Sequence, residues 1–325
     1  MRCLPELAAV QPDSLVFDVG GLGVGQAVWA LPIVDALLAH FPGPPIEIAG
    51  APTPTALLLA HCAASGRCTN VPATARQPLR VTLGTRPGPL RIERDGAGWH
   101  LLLPRSGGRC VAFSPPDAHA AARLGESGFM AGLDVDSTAL RLRLGSELGK
   151  RARSLLSQLC AERGRPLIVL LPARDPRRSY GIARLWQVGQ GVSERMGGTV
   201  VQLGGRSHLH GVRIARAGTA APLAAALLAL AAVCLSDDTG WCQVAAACDA
   251  PVAAVFGPSD PHRHGPVSPR AAVLWARAQD CVECEPQSRS RCLRCVPMQS
   301  FVDAAEQVAA AHWPRDRLRA LGIPL

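Results

Sequence analysis

The chain has 325 residues, 48% of them hydrophobic and 18% charged, and a formal net charge of +9 at pH 7. That length exceeds one comfortable core and sets an expectation of two domains of about 150 residues each, while the apolar content excludes a disordered chain. The basic surplus suits an anionic partner (a sugar nucleotide, a phosphorylated lipid surface or nucleic acid) and is equally compatible with an ordinary soluble protein.

Lys150 is the sole lysine, so any phosphate-binding role that lysine fills elsewhere must fall to arginine and its planar fork of donors. The start, Met1 to Glu6, lacks the basic residues and apolar run of a secretion signal. Ala217 to Leu235 is uncharged, but Gly218 and Pro222 interrupt it and Asp237-Asp238 follow; a buried helix and then a buried strand explain it better than a membrane span. Eight of the twelve cysteines are scattered (Cys3, Cys62, Cys68, Cys110, Cys160, Cys234, Cys242, Cys248), several within apolar patterns. Without an export signal they argue against a disulfide framework. The chain is expected in the cytoplasm, at most peripheral to the inner face of the membrane.

In chain order, Ser14–Val19 reads as a buried strand, followed by the glycine-rich turn Gly20–Gly25. A helix then carries Ala27, Val28, Leu31, Val34, Leu37 and Leu38 on one face, with Pro32 forcing a kink or a late start. Pro45–Ala49 reads as a second strand and Thr55–Ala63 as a helix. The pattern weakens beyond residue 70, although Arg91–Pro104 fits a hairpin around Asp95-Gly96, with Trp99, Leu101 and Leu103 alternating. Residues 144–165, rich in Arg and Glu, are expected to link the two domains, 1–150 and 151–325.

The second half is clearer. Leu167–Leu171 is a continuous apolar strand of the kind buried in parallel sheets. A loop to Gly181 precedes a helix carrying Ile182, Leu185, Trp186 and Met196. Strand Thr199–Leu203, helix Leu223–Leu230, strand Ala232–Leu235, helix Trp241–Cys248 and strand Val252–Phe256 follow. Strict alternation implies a parallel sheet with helices on both faces. Two such Rossmann-like halves facing across a cleft make the α/β architecture called GT-B. The amphipathic segment Val302–Ala311 is expected to pack across the interface.

Ligands of open α/β sheets bind beyond the carboxyl ends of the strands. In the second half those ends carry Pro172–Tyr180 with Arg174, Arg177 and Arg178, then Gly204-Gly205-Arg206, Ser236–Gly240 and Gly257–Asp260. Asp238 and Thr239 can cap a helix that starts near Gly240, and such a helix start is a natural diphosphate site. Any one of these segments could be an ordinary turn or cap; together they gather small, polar and basic residues at one edge.

Leu171–Arg174 through Arg178-Ser179-Tyr180 resembles the strand, small-residue turn, basic residue and aromatic of glycosyltransferase family 9, the ADP-heptose heptosyltransferases. Asp238-Thr239-Gly240, with Ala245–Ser259 after it, resembles that family's Asp-(Ser/Thr)-Gly box, alanine helix and Phe-Gly-Pro turn. Gly25-Gln26 ahead of Leu31-Pro32, and then Phe41-Pro42, resemble its N-terminal segment. The resemblance implies inverting transfer of a heptose from ADP-heptose to an acceptor hydroxyl, usually on the inner core of lipopolysaccharide. It places Arg178 where the family has a diphosphate-binding lysine. Donor contacts then fall to Arg174, Arg178, Arg206, Asp238, Thr239, Gly240 and Gln243, with no metal needed for catalysis. The expected partners are an ADP-sugar and a glycan or glycolipid acceptor, not nucleic acid.

Two positions depart from the family. Gln26 stands where its catalytic aspartate belongs, and glutamine cannot accept a proton at neutral pH. Gln243 stands in place of a histidine. Asp18, at the end of the first strand, either replaces the base or is a strand-end turn residue. A non-catalytic sugar-nucleotide binder of the same fold is the alternative to an active enzyme.

Cys281-Val282-Glu283-Cys284 and Cys292-Leu293-Arg294-Cys295 form two C-x2-C pairs. That spacing can place four thiolates around zinc or iron as a structural site, and two disulfides or free thiols satisfy it too. A zinc-knuckle nucleic-acid binder is disfavoured, since only Trp275 and Phe301 lie near as aromatic platforms.

Overall fold

Ser14–Val19 (β1) forms as its composition dictates, with every residue but Asp18 buried. In this computed structural model the residues described are 10–67, 78–83, 91–95, 98–103, 118–130, 133–136, 140–159, 165–203, 213–215, 221–276, 293 and 295–312. They fall into two units, Met1–Gly145 and Ser146–Leu325.

In the first unit β1 is followed by helices Val24–Trp29 (α1) and Leu31–His40 (α2), separated at Ala30. Pro32 sits in the first turn of α2, where its missing N–H has no helical partner to lose, so the expected kink is a break between two helices. Strand Ile46–Gly50 (β2), helix Pro52–Ala64 (α3), strands Pro78–Leu83 (β3), Arg91–Asp95 (β4) and Gly98–Leu103 (β5), and helix Ala120–Met130 (α4) follow. The sheet order is β2-β1-β3-β5-β4, parallel except for the β4–β5 pair, whose antiparallel register matches the expected hairpin. Gly50 has φ +144°, and a Cβ there would lie 2.6 Å from the Gly20 nitrogen. Only glycine therefore lets the end of β2 approach the turn after β1.

A polar cluster around a buried histidine fastens the end of this unit. The His61 ring, 0% exposed, accepts at Nδ1 from the Arg143 backbone N–H (3.0 Å) and meets Asp35 Oδ1 through Nε2 (2.9 Å). The acceptor role of Nδ1 puts the ring proton on Nε2. Arg143 Nη1 donates to the same Asp35 oxygen at 2.7 Å, tying residue 143 to α2 and α3.

The second unit contains helix Ser146–Leu159 (α5), strand Leu167–Leu171 (β6), helix Ile182–Met196 (α6), and strands Thr199–Leu203 (β7) and Arg213–Ala215 (β8). Helix Ala221–Leu228 (α7), strand Val233–Ser236 (β9), helix Gly240–Ala247 (α8), strand Val252–Phe256 (β10), helix Pro261–His264 (α9), strand Ala271–Trp275 (β11) and helix Met298–His312 (α10) complete it. The stretch expected to link the domains is instead largely α5, which packs against α7; its Arg and Glu residues occupy a solvated helix face, and Glu147 pairs with Lys150 one turn on. The uncharged stretch after residue 217 is α7 followed by β9, and among the described residues no helix is long and apolar enough to cross a membrane.

All six strands are parallel, in the order β11-β10-β9-β6-β7-β8. This is the doubly wound Rossmann order, with β6 as first strand and β9 as fourth. Every residue of β6 and β10 is buried, as strands covered on both faces must be. Helix α6 lays Leu185, Val188, Gly189 and Val192 on the sheet at helical spacing and ends at Gly197 in the left-handed conformation. Helix α10, expected to bridge the domains, packs on α6 and on β9–β11 of its own unit. Phe301, Val302, Ala305 and Ala309 enter the core, and Arg195 of α6 binds Asp303 (2.9 Å) and Glu306 (2.7 Å).

Candidate active site at the switch point of the second sheet

The sheet order reverses between β6 and β9, so their following segments part there and leave a crevice at the strand ends. The loop after β6 and the Asp237–Thr239 segment after β9 meet at this point. Asp237, 0% exposed, binds both ends of the loop: Oδ2 accepts from Ala173 N (2.9 Å) and Ser179 Oγ (3.0 Å), and Oδ1 accepts from Tyr180 N (3.1 Å). Tyr180 is anchored in turn. Its hydroxyl donates to the Val296 carbonyl at 2.7 Å, and its ring meets Phe301 edge-on at 5.7 Å.

Between those fixed ends, Asp175 caps a short 3-10 turn, Pro176–Arg178, by accepting from Arg177 N. Its carboxylate also receives Arg177 Nε (3.1 Å) and Nη2 (3.0 Å). This fork holds the Asp175 carboxyl below, and the Arg177 guanidinium above, their ordinary pKa values. With Arg177 so engaged, Arg178 is the cation beside the crevice, half-exposed, with Nη1 3.8 Å from Asp238 Oδ1. Arg174 is exposed on the same loop.

Asp238 is 7% exposed, and its Oδ2 has no hydrogen-bond partner among the described residues. An orphaned buried carboxylate oxygen is costly unless a donor reaches it, which a ligand hydroxyl could do. Next to it Thr239 caps α8, its hydroxyl accepting from Trp241 N at 3.5 Å. Gly240 opens the helix without a side chain, leaving the helix start accessible to an anion. Arg178, Asp238, Thr239 and Gly240 are therefore brought together, whereas Gln243 is committed elsewhere: it is buried, and Nε2 donates to the His264 carbonyl at 2.8 Å.

Asp18 is the penultimate residue of β1, and Gln26 lies in α1, both in the first unit. The exposed Asp18 accepts from Gly20 N through Oδ1 (2.9 Å), and Gln26 Oε1 accepts from Gly23 N (2.8 Å) in the capping box of α1. Arg206, Cys281, Cys284 and Cys292 lie outside the described residues, while Cys295 is half-buried. Among the described residues no group of three or more His, Cys, Asp or Glu is arranged to hold a metal, and Cys62, Cys234, Cys242, Cys248 and Cys295 are not disulfide-bonded. Sequence reasoning missed Asp237. Its only signal was the doubled acid Asp237-Asp238, read as a single box.

Two α/β units built on parallel strands, the second a doubly wound sheet with its site at the switch point, define the GT-B class of glycosyltransferase folds. Within it, the chain is similar to glycosyltransferase family 9: residues 217–293, which span α7 to β11, match the model of glycosyltransferase family 9 (heptosyltransferase). A family 9 glycosyltransferase from Veillonella parvula DSM 2008 is similar in structure, with a TM-score of 0.67 at 16% identity, covering 92% of this chain and 98% of that one. E. coli heptosyltransferase WaaC with ADP has a TM-score of 0.61 at 15% identity, covering 90% and 99%. The dodecameric iron-containing heptosyltransferase TibC, in complex with ADP-D-beta-D-heptose, has 0.57 at 11% identity, covering 93% and 77%. No curated protein matches the sequence.

Burial, and secondarily the charge of Asp238, pushes the Asp237 carboxyl up to about 6, against the pull of its three hydrogen bonds. A carboxyl whose folded pKa lies above its unfolded value favours folding most at low pH, and that contribution is lost as pH rises through the folded value. In thermal scans from about pH 4 to about pH 7, the stability of the unaltered chain should fall relative to Asp237→Asn by at most a few kcal/mol. A pH-independent difference would contradict the burial of an ionisable group here.

Proposed function

We propose that the chain is an inverting glycosyltransferase that moves a heptose, or a related sugar, from ADP-heptose to an acceptor hydroxyl in lipopolysaccharide core or another cell-envelope glycan. The observation that carries this reading is the juxtaposition of Arg178 with Asp238, Thr239 and the start of α8 at the switch point. In a single displacement the acceptor oxygen bonds to the anomeric carbon as the carbon–oxygen bond to the diphosphate breaks. The departing ADP carries the electron pair and the new negative charge. In this reading Arg178 and the N–H groups of α8 stabilise that charge, the part a metal ion plays in other phosphoryl chemistry. Asp238 Oδ2 accepts from a donor-sugar hydroxyl, and Arg174 and Arg206 extend the basic lining. The family match over residues 217–293 supports this assignment.

The acceptor's proton needs a base. Gln26 cannot take it, and we assign the role to Asp18, the exposed carboxylate one residue before the end of β1. That Gln26 serves as a helix cap favours the second reading, a sugar-nucleotide binder without turnover. Incubation with ADP-heptose or ADP-mannose, with and without cell-envelope acceptors, separates the two. Acceptor-dependent ADP release, lowered about 10²-fold or more in Arg178→Ala and abolished in Asp18→Asn, is the expected result. Tight ADP binding with no release under any acceptor would establish the binder instead.

We also assign Cys281, Cys284, Cys292 and Cys295 to a structural zinc or iron site. Four thiolates in two C-x2-C pairs suit a closed tetrahedral site that staples a loop and leaves no position for catalysis. Elemental analysis of the purified protein should find about one such metal per chain, lost together with thermal stability when Cys281 and Cys284 are replaced by serine. Metal-free wild-type protein of unchanged stability would rule the site out.

A further inference from the structure

The loop that bears Arg174, Arg177 and Arg178 leaves the sheet at Leu171 and leads through Tyr180 into α6 at Ile182. Arg178 is half-exposed, and its one described ion pair is 3.8 Å long, too long to fix the guanidinium. Its position is instead set by its backbone, whose N–H donates to the Asp175 carbonyl at 3.0 Å within the 3-10 turn. That turn stands on two feet, Ala173 on one side and Ser179-Tyr180 on the other. Both feet rest on one side chain, Asp237.

The Asp237 backbone is itself tied down: its N–H donates to the Leu171 carbonyl at 3.1 Å and its carbonyl accepts from Ser236 Oγ at 2.7 Å. Three donors converge on it from the loop. A carboxylate has two acceptor oxygens and no donor, whereas an asparagine would turn an NH2 toward one of those donors. We propose that Asp237 is a positioning residue: by gripping both feet of the arginine loop it holds Arg178 where the diphosphate of a donor nucleotide would sit.

This rests on the donor-site reading above. It goes beyond that reading by assigning the geometry of the loop to a residue that touches no substrate. The burial that makes the Asp237 carboxylate costly to ionise is thus coupled to ordering a loop whose tip carries three arginines. A displacement of about 1 Å at a phosphate-binding group is enough to cost two orders of magnitude in rate.

The test uses the full chain and two readouts. Hydrogen exchange at the Ala173 and Tyr180 amides should speed up at least tenfold in Asp237→Asn while the amides of β6 stay protected. ADP affinity should fall at least tenfold in the same variant, with adenosine affinity unchanged. Adding Arg178→Ala to Asp237→Asn should then weaken ADP by less than twofold, because a misplaced guanidinium has little left to lose. Ser179→Ala keeps the carboxylate and removes one donor; it should give an intermediate loss and serves if Asp237→Asn folds poorly. Unchanged exchange, unchanged ADP affinity in a folded variant, or multiplicative effects of the two substitutions would overturn the proposal. An unaltered chain that binds ADP no better than adenosine would overturn the donor-site reading, and the proposal with it, even with the exchange result intact.

Discussion

A carboxylate with no solvent contact, held by three donors and flanked by a second carboxylate, is the constraint on which the second unit's site is built. Asp237 joins the end of β9 to both ends of the loop after β6, so the two strand ends on either side of the switch point act as one piece. Among the described residues the loop is otherwise tied through Tyr180, whose hydroxyl reaches Val296 and whose ring packs on Phe301, and by the long Arg178–Asp238 pair. The arginines ride on this closed loop, and the start of α8 lies next to it through Asp238 and Thr239. Fold and candidate chemistry meet at one pair of adjacent acids, Asp237 bound by the loop and Asp238 beside Arg178.

The doubly wound sheet was legible wherever its strands are fully buried. Leu167–Leu171 and Val252–Phe256 are unbroken apolar runs because helices cover both faces, and the turns between them carry glycine and capping residues. Strands β3, β8 and β11 were not legible. Arg213–Ala215 is only three residues long, and Ala271–Trp275, although apolar throughout, is an edge strand with no fully buried residue and no polar alternation to mark it. The segment after residue 144 was read as a linker because its charges are frequent. Charges spaced for one face of a helix, around the buried Ala152, carry the opposite meaning.

The candidate site was legible in the same uneven way. Thr239 and Gly240 announce a helix start by local chemistry, and Arg178 stands out in a chain with one lysine. Asp237 did not, because its partners lie 57 to 64 positions earlier and only the parallel pairing of β6 with β9 brings them together. Gln243 illustrates the converse. Its place in a motif suggested a ligand contact, yet its amide is used to join α8 to the turn at His264. Gln26, likewise, supplies a helix cap where the family pattern has an acid.

Binding of a nucleotide diphosphate at the carboxyl edge between β6 and β9 is what we propose. A crystal structure of the full chain soaked with ADP tests it most directly. Phosphate oxygens are expected within hydrogen-bond reach of the Arg178 guanidinium and of the N–H groups at Gly240 and Trp241. ADP ordered at another edge of the molecule, with Arg178 and α8 left bare, would contradict it.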